Sequence, residues 1–245
     1  MANRRFLMLK PFLTANWRYL AMLNFVVDPK ILEPLVPTET ELDFHDGKTF
    51  VSVVGFLFLD TRVIGLPIPL HRDFEEVNLR FYVRRKSANE WRRGVVFVRE
   101  LVPRRAIALV ARTFYGEPYL ALPMQHAIEH KDGRVSAEYQ WRRGRRWETL
   151  AMTASGEPQS AAHGSHEEFI TEHYWGYTAR RDGCSEYRVE HPRWRLWTAE
   201  TTKFEADVAT LYGSQFVETL AAPAVSGFIA DGSPIQVHQR NREMF

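Results

Sequence analysis

Apolar and polar residues alternate strictly over residues 77–84, and this run constrains the fold of the chain more than any other. Successive side chains of a β-strand point to opposite faces. One face therefore carries Val77, Leu79, Phe81 and Val83, and the other carries Asn78, Arg80, Tyr82 and Arg84. A second long strand is predicted over Lys48–Asp60, a β-branched and aromatic stretch that is interrupted by Gly55.

Two hairpins are predicted from turn residues between strand signals. The turn-like residues 87–89 separate the alternating run from Val95–Val102, a further apolar strand. Gly144 lies between Arg134–Arg142 and Arg145–Thr153, which we interpret as the two arms of a second hairpin.

Few helices are predicted. Asp28 before Pro29 is typical of an N-cap followed by proline at the first helical position. Pro103–Tyr115 begins with proline and contains alanine and leucine, which favours a helix. Ser165 and Glu168 form a capping-box pattern ahead of a third helix. Many strands with few short helices predict a mostly β (α+β) fold, either a barrel or a wrapped sheet.

The length and composition fit one large globular domain or two small ones. The 245 residues are 45% hydrophobic and 25% charged, which is enough to bury a sizeable core. Residues 154–165 are rich in Ser, Gly, Ala and Pro, and they form either a surface loop or a weak domain boundary. We interpret the chain as a single domain, 1–245, with a long loop at that position.

The cysteine content and the hydropathy pattern predict a cytoplasmic protein. Cys184 is the single cysteine, so an intrachain disulfide is excluded, as is usual in a reducing compartment. The apolar run 6–9 is too short for a signal peptide. No run approaches the ~20 apolar residues of a membrane span, and we expect no membrane partner.

Residues 99–105 form the most unusual stretch, because an apolar strand runs directly into charge and then into a proline-started helix. Arg104 and Arg105 lie at the predicted helix start, where the positive end of the helix dipole disfavours cations. Such a sequence is suited to binding an anion, with the free N–H groups of the helix in support. Alternatively, Glu100 and other carboxylates neutralise the pair.

Glu76 lies at the start of the alternating strand. There it is either functional, as an acid, a base or a clamp for a ligand, or simply a solvated strand end.

Metal, cofactor and nucleic-acid sites are weakly indicated. The pairs His126/His130 and His163/His166 match no metal motif, and no GxGxxG or P-loop pattern occurs, so we expect neither metal nor cofactor. Basic residues are interleaved with tryptophans in the stretches 84–86, 91–93 and 141–147, as in single-strand binders. These stretches lie in or beside predicted hairpin turns, where exposed charge is expected anyway, and the net charge is only +2.

Four segments together are specific to a family: FLTANWRYLAMLNFVVDPKILEPLVP, FEEVNLRFYV, VVFVRELVPRRAIALVARTFYGEPY and LYGSQFVETLAAP. With them the chain resembles the YqjF-like bacterial family, an uncharacterised group within the acetoacetate decarboxylase-like superfamily. This resemblance spans nearly the whole chain. It implies a closed barrel wrapped by additional strands, few short helices, and a homo-oligomer.

The resemblance to the decarboxylase itself is confined to the first half and implies a site. In that enzyme a strand ending in Arg-Glu leads to a proline and two lysines. The first lysine forms a Schiff base with the β-keto acid, and the second lowers its pKa. Here Arg99, Glu100 and Pro103 match the strand end and the proline, and Arg104 and Arg105 stand at the positions of the two lysines.

The arginine at the Schiff-base position decides the chemistry that the resemblance implies. A guanidinium has a pKa above ~12 and stays protonated, so Arg104 cannot form an imine. Nothing in the sequence brings Lys203, in a threonine-rich segment, to the same pocket. The resemblance also places Arg18 at the position of the arginine for the substrate carboxylate and Glu76 at that of the active-site glutamate.

Three functional hypotheses follow. The chain binds a small organic anion (a keto, hydroxy or carboxylic acid) in a barrel pocket lined by Arg18, Arg104 and Arg105, without Schiff-base decarboxylation. Alternatively, it is an enzyme of lyase, hydratase or isomerase type in which Glu76 or Glu100 is the general acid or base. As a third and weaker hypothesis, the arginine-rich hairpins contact a protein or a nucleic acid.

Overall fold

Strands dominate the computed structural model, which describes residues 11–68, 71–87, 90–104, 118–180 and 183–239. In this part of the chain, seven strands form a closed ring in which each pairs with the next and the last pairs with the first: β1 (Leu13–Val27), β3 (Thr49–Val63), β5 (Phe74–Lys86), β6 (Trp91–Val102), β12 (Trp175–Arg180), β13 (Gly183–Glu190) and β16 (Ser226–Val237). Neighbours in the ring are antiparallel except β6 and β12, which pair in parallel over a short stretch.

A second, four-stranded antiparallel sheet covers part of the outside of the ring. Its strands, in spatial order, are β15 (Thr201–Glu205), β10 (Arg146–Ser155), β9 (Arg134–Arg143) and β8 (Met124–Lys131). The Tyr139 ring of β9 lies directly over Gly55 of β3, where an added Cβ would come within 2.5 Å of Tyr139 Cδ2. The glycine that interrupts the predicted strand therefore allows the two sheets to approach each other.

The remaining elements are short. The short strands are β2 (Glu41–Leu42), β4 (Leu66–Pro67), β7 (Tyr119–Ala121), β11 (Gln159–Ser160) and β14 (Arg195–Thr198). The α-helices in the described ranges are α1 (Pro29–Leu32), α2 (His166–Thr171), α3 (Val208–Leu211) and α4 (Val217–Ala221), with 3-10 turns at Glu33–Leu35 and Ser214–Phe216. Of the helices in the described ranges, none is long and apolar enough to cross a membrane.

The expected fold class, both hairpins and two of the helix starts are confirmed in the described residues. Both predicted hairpins are present as the pairs β5–β6 and β9–β10. The Asp28 carboxylate accepts a hydrogen bond from the Lys30 N–H at 2.9 Å, and Ser165 Oγ accepts one from the Glu168 N–H at 3.2 Å. The predicted helix Pro103–Tyr115 lies, apart from its first two residues, outside the described residues. The result is a mostly β fold, a closed ring wrapped by additional strands.

Apolar side chains form two layers, because both faces of the ring strands are covered. On β3, Phe50, Val54 and Phe56 point into the ring, whereas Val51, Val53 and Leu57 point outward. We call the layer inside the ring the inner core; it includes Leu20, Met22, Val54, Phe56, Trp194, Phe228 and Ile235. We call the layer between the ring and the second sheet the outer layer; it includes Val53, Leu79, Phe81, Tyr139, Trp141, Leu150 and Met152.

Two irregularities change which side chains face the inside of the ring. The β1–β3 register shifts between Arg18 and Ala21, where Tyr19 has a φ of 53°. On β6, Val98 is an extra residue in the pairing with β5, because Leu79 pairs with Arg99 and the next residue, Arg80, pairs with Phe97. An extra residue of this kind inverts the alternation beyond it. It therefore brings side chains three positions apart onto one face.

Candidate functional site

The inner core encloses a cavity of about 110 Å³. A closed ring of about eight strands has an interior that side chains fill or that holds one small ligand. The cavity wall is mostly aromatic and aliphatic, with polar residues concentrated on β5 and β6. Glu76, Asn78 and Arg80 follow one another on the inner face of β5, and Glu100 faces the same space from β6.

Glu76 is the best-defined acidic group of the cavity. It is 2% exposed, and its Oε1 accepts a hydrogen bond from Asn78 Nδ2 at 3.0 Å. Its Oε2 accepts a hydrogen bond from the Tyr119 hydroxyl at 3.2 Å. Burial raises the pKa of the Glu76 carboxyl to about 7, although these two hydrogen bonds and the charge of Arg80 act in the opposite direction. Glu76 therefore changes its protonation near neutral pH.

Glu100 lies beside this group because of the strand register. It pairs with Asn78 on β5 and with Tyr119 on β7, so three polar side chains lie side by side across three strands. Glu100 is 2% exposed. The shift at Val98 decides its direction: without the extra residue, Phe97 and Glu100 would point to opposite faces, whereas both line the cavity.

Arg80 is a half-buried cation at the cavity wall. Its Nη2 donates a hydrogen bond to the Ile170 carbonyl at 3.4 Å, and its guanidinium lies 5.7 Å from the centre of the Tyr82 ring. The Nε atom is buried and has no hydrogen-bond partner among the described residues. Part of its donor capacity is therefore unused among the described residues.

A buried imidazole completes the polar part of the wall. His173 lies just before β12, and its Nε2 is 3.5 Å from Oδ2 of Asp43, which is too long for a good hydrogen bond. Asp43 also accepts a hydrogen bond from Arg93 Nε at 2.6 Å. Burial lowers the pKa of His173 to about 4, against the influence of Asp43, so the ring is neutral at physiological pH.

The other part of the wall is aromatic. The Trp17 ring is 5.2 Å from that of Phe56, 5.7 Å from that of Phe58 and 6.2 Å from that of Trp194, measured between centroids. His191 stacks on Trp194 at 4.1 Å, and burial lowers the pKa of His191 to about 4. This group of rings lines one end of the cavity.

The residues proposed from the sequence are only partly brought together. Glu76 and Glu100 line one cavity. Arg18 does not line it: Trp17 points into the ring, so its neighbour points outward, where the guanidinium lies 5.7 Å from the centre of the Tyr19 ring. Arg104 is exposed and does not line it either. Arg105 lies outside the described residues.

Lysine and metal chemistry find no support in the described residues. The lysines described are Lys30, Lys48, Lys86, Lys131 and Lys203, and none of them lines the cavity. Lys203 is on β15 of the second sheet, 57% exposed and 3.5 Å from Glu205 Oε2. Within the same ranges, no group of three or more His, Cys, Asp or Glu side chains has the arrangement of a metal site.

The arginines of the β5–β6 hairpin are engaged in ion pairs within the chain. Arg84 donates to Glu41 at 2.7 Å, Arg92 donates to Glu186 at 2.7 Å, and Arg93 is bound to Asp43. Arg85 pairs with Glu186 and Glu39. The guanidinium groups are thus largely neutralised, which counts against this hairpin as a nucleic-acid surface.

Sequence reasoning missed Asn78, Arg80, Tyr119, His173 and Trp194 as site residues. The signal for the first two was present, since both are on the polar face of the 77–84 run. Such a face is usually expected in solvent. In a closed ring whose outer face is covered by a second sheet, the polar face is instead the inner one.

The comparisons with known proteins agree with this fold. The sequence profile of DUF2071, a family described as uncharacterized conserved proteins, matches residues 14–234. Over 189 residues the chain is 31% identical to the uncharacterized protein YqjF of Bacillus subtilis (strain 168), covering 76% of this chain and 75% of that protein. The predicted YqjF-like resemblance is therefore confirmed.

Solved structures of an acetoacetate decarboxylase and of a biosynthetic enzyme have the same architecture. Acetoacetate decarboxylase from Legionella pneumophila superposes with a TM-score of 0.63 at 14% identity, covering 98% of this chain and 91% of that chain. The enduracididine biosynthesis enzyme MppR, complexed with pyruvate, superposes with a TM-score of 0.65 at 14% identity, covering 97% and 92%. Identities this low establish the fold and not the activity.

Proposed function

The chain belongs to the DUF2071 family, and from this premise we propose that it binds a small organic acid in the cavity of the ring without forming a Schiff base. One observation carries the proposal: Glu76, Asn78, Arg80 and Glu100 form a largely buried polar strip in a mostly apolar cavity. Ligand sites are typically apolar pockets with a few convergent polar groups.

Arg80 is the proposed partner of the ligand carboxylate. The planar guanidinium binds a carboxylate through two parallel hydrogen bonds, and such charge-assisted bonds are stronger than neutral ones. Arg80 lines the cavity, and its Nε is buried without a partner in the described residues. In this proposal Arg80 takes the role that the sequence suggested for Arg18 and Arg104. Arg105 stays a proposed substrate-binding residue that lies outside the described residues.

The charge balance of the cavity makes anion binding dependent on Glu76. Arg80 supplies one positive charge, and two carboxyl groups lie nearby. A carboxylic acid whose pKa is about 7 is largely protonated at pH 6, which reduces the negative charge of the strip and provides an O–H donor. We therefore expect an acid to bind more tightly below pH 7 than above it.

A non-covalent enzyme is the second candidate, and the environment of Glu76 favours it. A general acid or base works best when its pKa is near the operating pH, as burial arranges for Glu76. Glu76 or Glu100 would transfer a proton at the carbon next to a carbonyl, and Arg80 would stabilise the enolate. Lyase, hydratase or isomerase chemistry on a keto or hydroxy acid would follow. The MppR complex with pyruvate gives a precedent for a 2-oxo acid in a related fold.

Thermal-shift measurements with small keto, hydroxy and carboxylic acids test the binding proposal. A ligand at a hundred times its dissociation constant adds about 2.7 kcal/mol, or roughly 5–10 °C in Tm for a chain of this size. Arg80→Met should abolish the shift. Arg134→Met serves as the matched control, because Arg134 is 71% exposed on the second sheet.

The outcomes separate the candidates. A shift that Arg80→Met removes and Arg134→Met retains supports the acid site. If both variants keep the shift, the acid binds at a site that does not involve Arg80. If no acid in the panel produces a shift, the proposal is overturned.

For the enzyme candidate, the bound acid is followed by NMR in deuterated water. Exchange of its α-hydrogens that persists in Glu76→Gln and Glu100→Gln would exclude both carboxyls as the base.

A homo-oligomer and a cytoplasmic location stay predictions of the family resemblance and of the sequence. Light scattering coupled to size-exclusion chromatography measures the first directly, since one copy has a mass of 28.6 kDa. A single species at that mass would exclude the oligomer.

A further inference from the structure

The cavity is amphipathic along the axis of the ring. On β5 and β3 the paired residues run from Phe74↔Phe58 through Glu76↔Phe56 and Asn78↔Val54 to Arg80↔Ser52. One end is therefore aromatic, the middle holds the carboxyl groups, and the other end holds the guanidinium. A ligand that fills this space needs an apolar group at one end and an anionic group at the other.

The aromatic end is arranged to receive a ring. Trp17 meets Phe56 at 66° and Phe58 at 85° between ring planes, both edge-to-face contacts, and it is tilted by 57° against Trp194. Rings in such clusters present both edges and faces, and aromatic pairs gain free energy beyond their buried area. Trp17 Nε1 is also buried without an acceptor among the described residues.

We propose that the bound acid is an aryl acid, a single six-membered aromatic ring that carries a carboxylate on a short side chain. This rests on the proposed function and specifies the substrate class of the same site. The ring packs against the cluster of Trp17, Phe56, Phe58 and Trp194, and the carboxylate binds Arg80. A carbonyl or methylene group of the side chain then lies next to Glu76, in the middle of the cavity.

Acids of this class occupy more of the cavity than a small keto acid does, as their counts of non-hydrogen atoms show. Phenylacetate has ten such atoms and phenylglyoxylate eleven, whereas pyruvate has only six. Pyruvate would therefore leave the aromatic end empty and forgo the burial of the ring.

Isothermal titration calorimetry with four probes tests the substrate class: phenylacetate, phenylglyoxylate, cyclohexylacetate and pyruvate. Cyclohexylacetate matches phenylacetate in length and charge but lacks the π-system. We expect the two aryl acids to bind at least about tenfold more tightly than pyruvate and several-fold more tightly than cyclohexylacetate. Arg80→Met should weaken all four probes.

Variants of the aromatic end give the second measurement. Trp17→Leu should lower the affinity for phenylacetate about tenfold and leave that for pyruvate nearly unchanged. Trp147→Leu is the matched control, because Trp147 is 37% exposed on the second sheet. If Trp17→Leu does not fold, Phe58→Leu removes a ring from the same end and replaces it in the comparison.

The outcomes distinguish this inference from the proposed function. Tight aryl-acid binding that Trp17→Leu and Arg80→Met both weaken supports the inference. Binding of pyruvate as tightly as phenylacetate, or of cyclohexylacetate as tightly as phenylacetate, overturns the aryl class and leaves the acid site standing. If none of the four acids binds, the inference and the proposed function fall together.

Discussion

The inner core and the outer layer differ in how their polar side-chain atoms are used. In the outer layer Trp141 Nε1 donates to Glu148 Oε2 at 2.6 Å, and the Tyr139 hydroxyl donates to the Tyr19 carbonyl at 2.7 Å. Tyr212, whose hydroxyl has no partner in the described ranges, is an exception there. In the inner core, by contrast, Asn78, Arg80, His173 and Trp17 all keep buried atoms unpaired within the same ranges.

This difference separates stability from function. Buried polar atoms are nearly always hydrogen-bonded in native proteins, and each exception calls for an explanation such as backbone strain, a catalytic role, or a bound water or ion. The outer layer resembles an ordinary core that joins two sheets. The inner core has unpaired buried donors and acceptors beside a cavity, and these make it less stabilising than the outer layer. Substitutions in the two layers should therefore have different consequences.

The largest expected effect is that of Trp141→Ala in the outer layer. Trp141 is fully buried, and its removal leaves a cavity and deprives the buried Glu148 of a donor. We expect a loss of about 4–5 kcal/mol in the free energy of unfolding, measured by urea denaturation. Any folded fraction should bind acids normally, since this side chain does not line the inner cavity. A loss below about 2 kcal/mol would contradict the role assigned to this layer.

Glu76→Gln should have the next largest effect, and it should stabilise the protein at high pH. The pKa of Glu76 is about 7 in the folded chain against 4.5 for a free side chain. Between these values the unfolded chain has already lost the proton that the folded chain keeps, so stability falls as the pH rises from 4.5 to 7. The full penalty, present above pH 7, is about 3 kcal/mol.

Urea denaturation at pH 4 and pH 8 measures this penalty. Wild type should lose stability from this group between the two values, and Glu76→Gln should not. Glu205→Gln, on the surface of the second sheet, is the control for removing one carboxylate. Parallel pH profiles for wild type and Glu76→Gln would show that the buried carboxyl does not titrate as described.

Two glycines, one in each layer, lie directly against the ring of a tyrosine. A Cβ at Gly55 would lie 2.5 Å from Tyr139 Cδ2 in the outer layer, and a Cβ at Gly176 would lie 2.1 Å from Tyr187 Cζ beside the cavity. Tyr139 is closely packed, whereas Tyr187 lines the cavity and has space to move into. We expect Gly55→Ala to cost about 2–3 kcal/mol and Gly176→Ala about 1 kcal/mol.

Ligand binding provides the second half of that comparison. Gly176→Ala should weaken acid binding because the displaced Tyr187 ring occupies part of the cavity, while Gly55→Ala should leave it unchanged. If Gly176→Ala cost more stability than Gly55→Ala, or if Gly55→Ala weakened acid binding more than Gly176→Ala, the Tyr187 ring would not be moving into the free space of the inner core.

Much of the fold could be predicted because it is encoded locally. Alternation over 77–84 gave β5, the turn at Gly144 gave the β9–β10 hairpin, and the caps at Asp28 and Ser165 gave the starts of two helices. Each of these signals depends on neighbouring residues only.

The site could be predicted less well, for two physical reasons. The register shift at Val98 turns Glu100 toward the cavity, and alternation alone does not reveal such an insertion. The direction of the polar face of β5 depends on the second sheet, which covers the other face. Arg80 was therefore visible as a polar residue but not as a cavity residue. His173 comes from a segment far along the chain, and only closure of the ring brings it to β5.

The smallest expected effect is that of Lys203→Met, at the solvent side of the second sheet. Lys203 is 57% exposed and forms a single surface pair with Glu205, so its removal should change the free energy of unfolding by less than about 0.5 kcal/mol. Acid binding should also be unchanged, because Lys203 lies outside the ring. Mass spectrometry after borohydride treatment with pyruvate or acetoacetate should detect no adduct at this lysine. An adduct that Lys203→Met removes would show that a Schiff base forms after all. It would also show that the outer side of the molecule, rather than the inner core, carries covalent chemistry.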